Sequence, residues 1–258
     1  MPRYGVLGWP VSHSRSPAMM RAAGLQDYQR LPVAAGAFED TVRALGGAGF
    51  RGANVTIPHK QAALALATSA SEAAREIGAA NTLTFGEGGE IAADNTDAPG
   101  FLAALGDPAP ASALVLGAGG SARAVVWALA QAGADVAVWN RTPQRAEGLR
   151  ALGARVVTGP VCAEVLVNCT SVGLDDLTSP FKPADRLSDY PTVVDLVYRG
   201  GGTMLIREAE QRGIRTVDGL EILVRQGALS FTLWTGLPAP LQIMRNAVRD
   251  TGMKTRAV

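Results

Sequence analysis

The feature that most constrains this chain is a strand, a glycine-rich turn and a helix in direct succession. An apolar run, Leu114-Val115-Leu116, leads into Gly117-Ala118-Gly119-Gly120-Ser121-Ala122-Arg123, and a second apolar run, Ala124 to Ala130, reads as a helix. Gly117, Gly119 and Ala122 occupy the small-residue positions of a Gly-x-Gly-x-x-Ala turn. Small residues there let the backbone approach a pyrophosphate, which then sits at the positive end of the helix. The chain holds 30 glycines, so a Gly-x-Gly arises easily by chance. The flanking strand and helix are what make it a dinucleotide-binding turn.

The following strand bears on which dinucleotide. Asp135 to Trp139 reads as that strand, and it ends in Asn140-Arg141-Thr142-Pro143-Gln144-Arg145. An NAD site usually carries an acid here, roughly 20 residues past the glycines, to hold the ribose 2′-hydroxyl. This chain has Asn140 and then Arg141. An acid would repel a 2′-phosphate, whereas Arg141 and Arg145 can grip one through charge-assisted hydrogen bonds. The expected cofactor is therefore NADP. The alternative is a solvated arginine pair on the first turn of a helix, which Pro143 suits.

With 258 residues, the chain has room for two domains of ordinary size. Apolar residues make up 47% and charged ones 18%, which suits a packed core rather than disorder. A net charge of +1, with no basic cluster, excludes nucleic acid as the main partner. There is no apolar run long enough for a membrane span. The stretch Met1 to Gly8 reads as too short and too quickly structured for a signal peptide, so none is expected. Cys162 and Cys169 read as two reduced thiols, and with only His13 and His59 beside them no metal site is expected. These features suggest a cytoplasmic protein; no motif encodes whether it is a monomer or homodimer.

Short apolar strands alternate with helical runs along the chain, which implies an α/β layer architecture. Tyr4–Leu7 and Ala53–Ile57 read as strands, and Gln61–Ala67 as a helix. A helix is expected from Pro17, with Ser16 as its N-cap. Thr82–Phe85 and Ile91–Ala93 flank Gly86-Glu87-Gly88-Gly89, a hairpin signal. Gly106 to Pro110 is a natural break before the dinucleotide fold. Val165–Asn168, Val193–Leu196 and Thr216–Val217 are further strands, and the last forty or so residues read as two helices, the second starting near Pro240.

The first hundred residues carry polar groups that packing does not call for. Gly8 to Pro17 places Ser14 and Ser16 beside a helix start, where free N–H groups and the helix dipole favour a carboxylate. An ordinary N-cap explains Ser16 and leaves Ser14 over. In Asn54-Val55-Thr56-Ile57-Pro58-His59-Lys60, strand alternation puts Asn54 and Thr56 on one face. Lys60 follows near a helix start, whose positive end disfavours a second positive charge, and this suits a group that gives and takes a proton. The alternative is a solvated surface lysine. Asn81 and Asp97 add an amide and a carboxylate, and an ionised Asp97 would favour the charge on a nearby Lys60. Asp97 also fits a turn residue or a helix N-cap.

At this point the chain resembles the shikimate dehydrogenase family. The resemblance is carried, in order, by Ser14-Arg15-Ser16-Pro17, Asn54 to Lys60, Gly78-Ala79-Ala80-Asn81-Thr82, Asn95-Thr96-Asp97, Gly117 to Arg123, Asn140-Arg141-Thr142, Asn168-Cys169-Thr170-Ser171-Val172-Gly173, Asp195-Leu196-Val197-Tyr198 and Asp218 to Gln226. It covers nearly the whole chain, from Gly8 to about Gly236. It implies NADP-linked interconversion of 3-dehydroshikimate and shikimate, on the route to chorismate and the aromatic amino acids. It also implies an α/β substrate-binding domain (1–100 and 219–258), a Rossmann-like doubly wound domain (101–218) and a cleft between them. By the resemblance, Lys60 and Asp97 are the catalytic pair and Ser14 and Ser16 hold the substrate carboxylate. Asn54, Thr56, Asn81, Asp97, Tyr198 and Gln226 are implied on the substrate side. Gly117, Ala118, Gly119, Gly120, Ser121, Ala122, Asn140, Arg141, Thr142, Arg145, Thr170, Ser171, Val197 and Gly219 are implied on the cofactor side.

Two positions depart from the family pattern. Arg199-Gly200-Gly201-Gly202 stands where a proline is often found, so a looser loop is expected there, and Met20 stands where a histidine is common. Two rival functions share the same residues. One is a dehydrogenase that also takes quinate or uses NAD. The other is a non-catalytic NADP-binding regulator, against which the retention of both Lys60 and Asp97 argues.

Overall fold

The computed structural model describes residues 2–175, 178–182 and 184–250. The chain divides into two compact units, Met1–Asp97 with Val224–Val258, and Ala98–Leu223. The expected C-terminal residues 251–258 lie outside the described residues.

The first unit begins β1 (Arg3–Gly8), α1 (Ser16–Ala22), β2 (Tyr28–Pro32), α2 (Phe38–Gly47), β3 (Phe50–Val55) and α3 (Lys60–Leu66). It continues through β4 (Ser69–Ala70), α4 (Glu72–Ile77), β5 (Thr82–Phe85) and β6 (Ile91–Asp94), and α5 (Asp97–Leu105) leads out of it. Six strands form a mixed sheet in the order β2-β1-β3-β5-β6-β4. β1 pairs in parallel with β2 and β3, while β5 pairs antiparallel with β3 and β6. The β5–β6 pair is the hairpin that its glycine-rich loop indicates. Leu7, Phe38, Val42, Leu45, Phe50, Val55, Leu83 and Phe85 form one buried cluster, so α2 packs its apolar side against this sheet.

The second unit runs β7 (Ser112–Leu116), α6 (Gly120–Gln131), β8 (Asp135–Trp139), α7 (Pro143–Ala146), β9 (Ala154–Val156), β10 (Val165–Asn168), β11 (Thr192–Asp195), α8 (Met204–Gln211) and β12 (Arg215–Val217). Its sheet is all parallel, in the order β12-β11-β10-β7-β8-β9. That is the doubly wound order, in which the chain leaves the central strand first one way and then the other. β10 and β11 are buried along their whole length, as strands covered on both faces should be. Finally α9 (Gly219–Thr235) carries the chain back, and α10 (Leu241–Asp250) completes the first unit.

Several elements differ from expectation. β2 alternates Tyr28 with Gln29, Arg30 and Leu31 at the sheet edge, so it lacks an apolar run to read. α4 is short and set by its caps: the Ser71 side chain accepts from Ala74 N, and Gly78 ends it at φ 70°. Ser16 is not the N-cap of α1. Arg15 holds that position without a side-chain cap, and Ser16 is already helical. The hydroxyl of Ser14 instead accepts from Ser16 N at 3.3 Å. Cys162 is exposed and Cys169 buried, both as free thiols. Among the described residues no helix is long and apolar enough to cross a membrane, and no group of three His, Cys, Asp or Glu side chains is placed to hold a metal ion.

Candidate active site

In the first unit the polar residues picked out from the sequence converge at the ends of β3, β5 and β6. Lys60 opens α3 and Asp97 opens α5. The Lys60 Nζ donates to Asp97 Oδ2 at 2.5 Å, with the two side chains only 9% and 15% exposed. The lysine is thus a buried ion pair and not a solvated surface group. Asp97 Oδ1 accepts from Asn81 Nδ2 at 2.9 Å, so an amide and an ammonium each hold one carboxylate oxygen.

Asn81 has no freedom to turn over. Its Oδ1 accepts the backbone N–H of Thr96 at 2.7 Å, which directs its Nδ2 toward Asp97 and Gln226 Oε1 (3.2 Å). Asn54 is fixed in the same way, because Tyr28 donates its hydroxyl to Asn54 Oδ1 at 2.7 Å. Its Nδ2 then donates to Ser230 Oγ at 2.9 Å. Ser230 lies one helical turn past Gln226 on α9 and bonds to the hydroxyls of Thr82 (2.8 Å) and Thr96 (3.2 Å). These buried groups satisfy one another, as buried polar groups must. Reasoning from sequence missed Tyr28, Thr82, Thr96 and Ser230 as parts of this network. Ser230 sits four residues after Gln226, and that helical spacing was the available signal.

Ser14 and Ser16 are buried at the start of α1. Arg30 donates twice to the Ser14 carbonyl, at 3.1 and 2.8 Å, and so fixes the loop that carries both hydroxyls. Thr56 follows β3 half-buried, and its N–H donates to Leu7 O at 2.8 Å.

In the second unit the turn after β7 has the geometry its glycines suggest. Gly117 lies at φ +108°, and a Cβ there would meet the Cys169 carbonyl carbon at 3.1 Å, so only glycine fits. At Gly119 a Cβ would meet nothing within 4 Å, which leaves the backbone open to a ligand. Gly120, Ser121 and Ala122 form the first turn of α6, with no acid among them. Their N–H groups and the helix dipole favour an anion.

Asn140 donates to the Thr142 carbonyl at 2.7 Å, shaping the turn after β8. Arg141 and Arg145 are both exposed, and neither is in an ion pair among the described residues. Two unneutralised guanidinium groups next to the glycine turn, with no acid at Asn140, fit a 2′-phosphate.

Thr170 follows β10, with Ser171 exposed beside it, while Val197 and half-buried Tyr198 follow β11. Gly219 packs so closely on the backbone after β11 that a Cβ would lie 2.6 Å from Leu196 O and 2.7 Å from Val197 O. The Arg199–Gly202 segment is tied, not loose. Arg199 donates to Leu174 O, Gly202 N to Arg199 O at 3.3 Å, and Arg207 to Gly202 O at 2.7 Å. Gly201 and Gly202 adopt φ +82° and +80°, a turn that a proline could not make.

Comparison with known proteins agrees with this geometry. Residues 6–83 match the model of the shikimate dehydrogenase substrate binding domain, and residues 219–249 that of the shikimate 5′-dehydrogenase C-terminal domain. The NADP(+) shikimate dehydrogenase of one Thermus thermophilus strain is 46% identical over 98% of this chain and 100% of its own length. The crystal structure of the shikimate 5-dehydrogenase of a second Thermus thermophilus strain, with NADP(H) and shikimate, superposes with a TM-score of 0.87 at 45% identity, over 97% of this chain and 99% of that one. A ligand-free 5-ketofructose reductase of a Gluconobacter strain superposes at 0.83 with 31% identity, over 97% and 98%. Identity at this level along nearly the full length, joined to the convergent residues described above, establishes that the chain belongs to the family of NADP-dependent shikimate dehydrogenases.

Proposed function

We propose that this protein interconverts 3-dehydroshikimate and shikimate with NADP, and that Lys60 and Asp97 carry the proton chemistry. The observation that supports this most is the buried Lys60–Asp97 pair at 2.5 Å, one of whose carboxylate oxygens is reserved for the ammonium by the Asn81 amide on the other. NADPH, when bound, supplies the hydride. As the ketone carbon is reduced, negative charge grows on its oxygen. The Lys60 ammonium stabilises that charge and transfers a proton to it, giving the alcohol and a neutral amine. Asp97 holds the Lys60 Nζ in place, and the amine takes its next proton from solvent. In the reverse direction the amine takes the hydroxyl proton.

Ser14 and Ser16 receive the substrate carboxylate at the start of α1. Asn54, Thr56, Asn81 and Gln226, with Tyr198, bind the ring and its hydroxyls. We assign substrate binding to residues 1–100 and 219–258, and NADP binding to 101–218. The Gly117–Ala122 turn takes the pyrophosphate. Asn140, Arg141, Thr142 and Arg145 take the 2′-phosphate, and Thr170, Ser171, Val197 and Gly219 line the nicotinamide side. The open Gly119 backbone and the two unneutralised arginines support that assignment. The composition fits a cytoplasmic protein.

The test is absorbance at 340 nm with shikimate or quinate, each with NADP or NAD. Rapid turnover of shikimate with NADP is expected. Equal turnover of quinate would make the enzyme one of broader specificity. Tight NADPH binding without turnover would make it a regulator. The reductase among the structural relatives makes 5-ketofructose, which lacks a carboxylate, an informative third substrate. Reduction of that ketone as fast as of 3-dehydroshikimate would contradict the role given to Ser14 and Ser16.

A further inference from the structure

Asp195 is a buried carboxylate that the proposed mechanism does not use. It ends β11 directly opposite Asn168, which ends β10. Asp195 and Asn168 are fully buried, and Thr203 is 1% exposed. The Asp195 Oδ1 accepts from Asn168 Nδ2 at 2.8 Å and from Val197 N at 3.0 Å, while Oδ2 accepts from Thr203 Oγ1 at 2.6 Å. The Asn168 and Val197 N–H groups can only donate, and the Thr203 hydroxyl gives its proton to Oδ2 while accepting from Ile206 N at 3.3 Å. The Oδ1 position therefore calls for an acceptor, and the Thr203 proton is spent on Oδ2.

The effect reaches further than these three contacts. Asn168 Oδ1 accepts both the N–H and the hydroxyl of Thr170, at 3.0 and 2.7 Å. That fixes the amide, so its Nδ2 must face Asp195 and Val172 O (3.2 Å). The Thr170 hydroxyl then accepts Val172 N at 3.1 Å. One carboxylate thus orders the loop from Thr170 to Val172 and the main chain at Val197.

Both loops leave the carboxyl ends of parallel strands on one side of the central strand β7, β10 beside it and β11 next out, at the end of the sheet where ligands of doubly wound folds bind. Among the described residues Asp195 is in no ion pair. Burial alone pushes its carboxyl up to about 6. A core needs no unpaired buried carboxylate, and an apolar pair would pack at no such cost.

From these contacts we infer that Asp195 is a positioning residue for NADP: an acceptor-only staple that sets the Thr170 and Val197 loops in the geometry the cofactor requires. The inference rests on the NADP reading above. Asp195→Asn is isosteric but removes the charge that Asn168 and Val197 donate to, and it replaces the oxygen that accepts the Thr203 proton with a donor, so that hydrogen bond must reverse. NADP affinity of the purified protein is read by titration calorimetry, shikimate KM by steady-state kinetics and folding by thermal melting. Asp195→Asn should weaken NADP about tenfold, the size of one charge-assisted hydrogen bond, and change shikimate KM less than about twofold. Thr203→Val should act in the same direction, and Thr203→Ser should restore affinity.

A folded Asp195→Asn protein with unchanged NADP affinity overturns the inference. So does a change of equal size in both substrates. If Asp195→Asn does not fold, the Thr203 pair decides, and equal NADP affinity of the valine and serine variants overturns it. Failure of both Asp195→Asn and Thr203→Val to fold also overturns it, because the carboxylate then serves the fold alone. Unmutated protein that binds no NADP would instead refute the cofactor reading itself.

Discussion

Gly52 lies in β3 where the indole of Trp234, from α9, rests on the sheet. A Cβ at Gly52 would come within 2.3 Å of Trp234 Nε1, 2.4 Å of Cε2 and 2.7 Å of Cδ1. The clash is with a rigid ring, so Gly52→Ala must move the whole indole. Trp234 also donates to Leu83 O at 3.1 Å and sits 5.2 Å from the Tyr4 ring. Overpacking costs about 1–3 kcal/mol. A lost hydrogen bond adds about 1 kcal/mol, and a lost aromatic contact about 0.5–1 kcal/mol. Alanine in a strand recovers about 0.5–1 kcal/mol over glycine. The net is a loss of about 2–4 kcal/mol. With an m value of about 2–3 kcal/mol/M in urea, the midpoint should fall by about 1 M. Because α9 also carries Gln226 and Ser230, shikimate KM should rise while NADP affinity holds. Urea unfolding followed by tryptophan fluorescence reads the first effect and steady-state kinetics the second. In a Trp234→Leu background the cost of Gly52→Ala should largely disappear, because the ring that creates it is gone. A midpoint shift below about 0.3 M with m unchanged, or the same cost in the Trp234→Leu background, would refute the argument.

Lys60→Ala should lower kcat by about 100- to 10,000-fold with little change in KM, and near-normal kcat in a folded variant would remove the lysine as proton donor. Arg141→Ala should weaken NADP by about 1.5–3 kcal/mol and leave NAD unaffected; equal loss for both cofactors in binding assays would make the arginine structural. Ser14→Ala should raise shikimate KM and spare NADP affinity, and unmutated protein that binds a shikimate ester as well as the acid would contradict the carboxylate role. Asp195 predicts a pH dependence of stability. Burial raises its carboxyl from 3.8 to about 6, so the folded state holds the proton more tightly than the unfolded chain. Its stabilising contribution is full below about pH 4, falls by about 3 kcal/mol as pH rises to about 6, and is flat above. Urea unfolding across that range should show this fall in the unmutated protein and lack it in Asp195→Asn.

The strand–turn–helix at Leu114 to Ala130 was legible in the sequence because its signals are local. Glycine spacing, an apolar run and helical periodicity all lie within a few residues, and they imply a doubly wound sheet before any contact is known. The absence of an acid at Asn140 and the arginines behind it were legible for the same reason. Strands β8 and β10 could be read to the residue, since strands buried on both faces are continuous apolar runs. The edge strand β2 and the capped helix α4 could not, because partial burial breaks the pattern that marks an element. Residue type, local position and the family resemblance nominated Lys60 and Asp97, but 37 positions separate them, and only the fold brings their charges to 2.5 Å and buries them together. The phenol of Tyr28 carries no local mark of function, and the hydroxyls of Thr82, Thr96 and Ser230 carry only a motif neighbour or a helical spacing; they matter because sheet register and α9 bury them around Asn54 and Asn81. Asp195 was visible as part of a motif, yet its three donors come from β10, from its own loop and from the start of α8. Covalent order sets which groups are available and which elements form. Which polar groups meet, and which are deprived of solvent so that each must find a partner, is decided by tertiary packing.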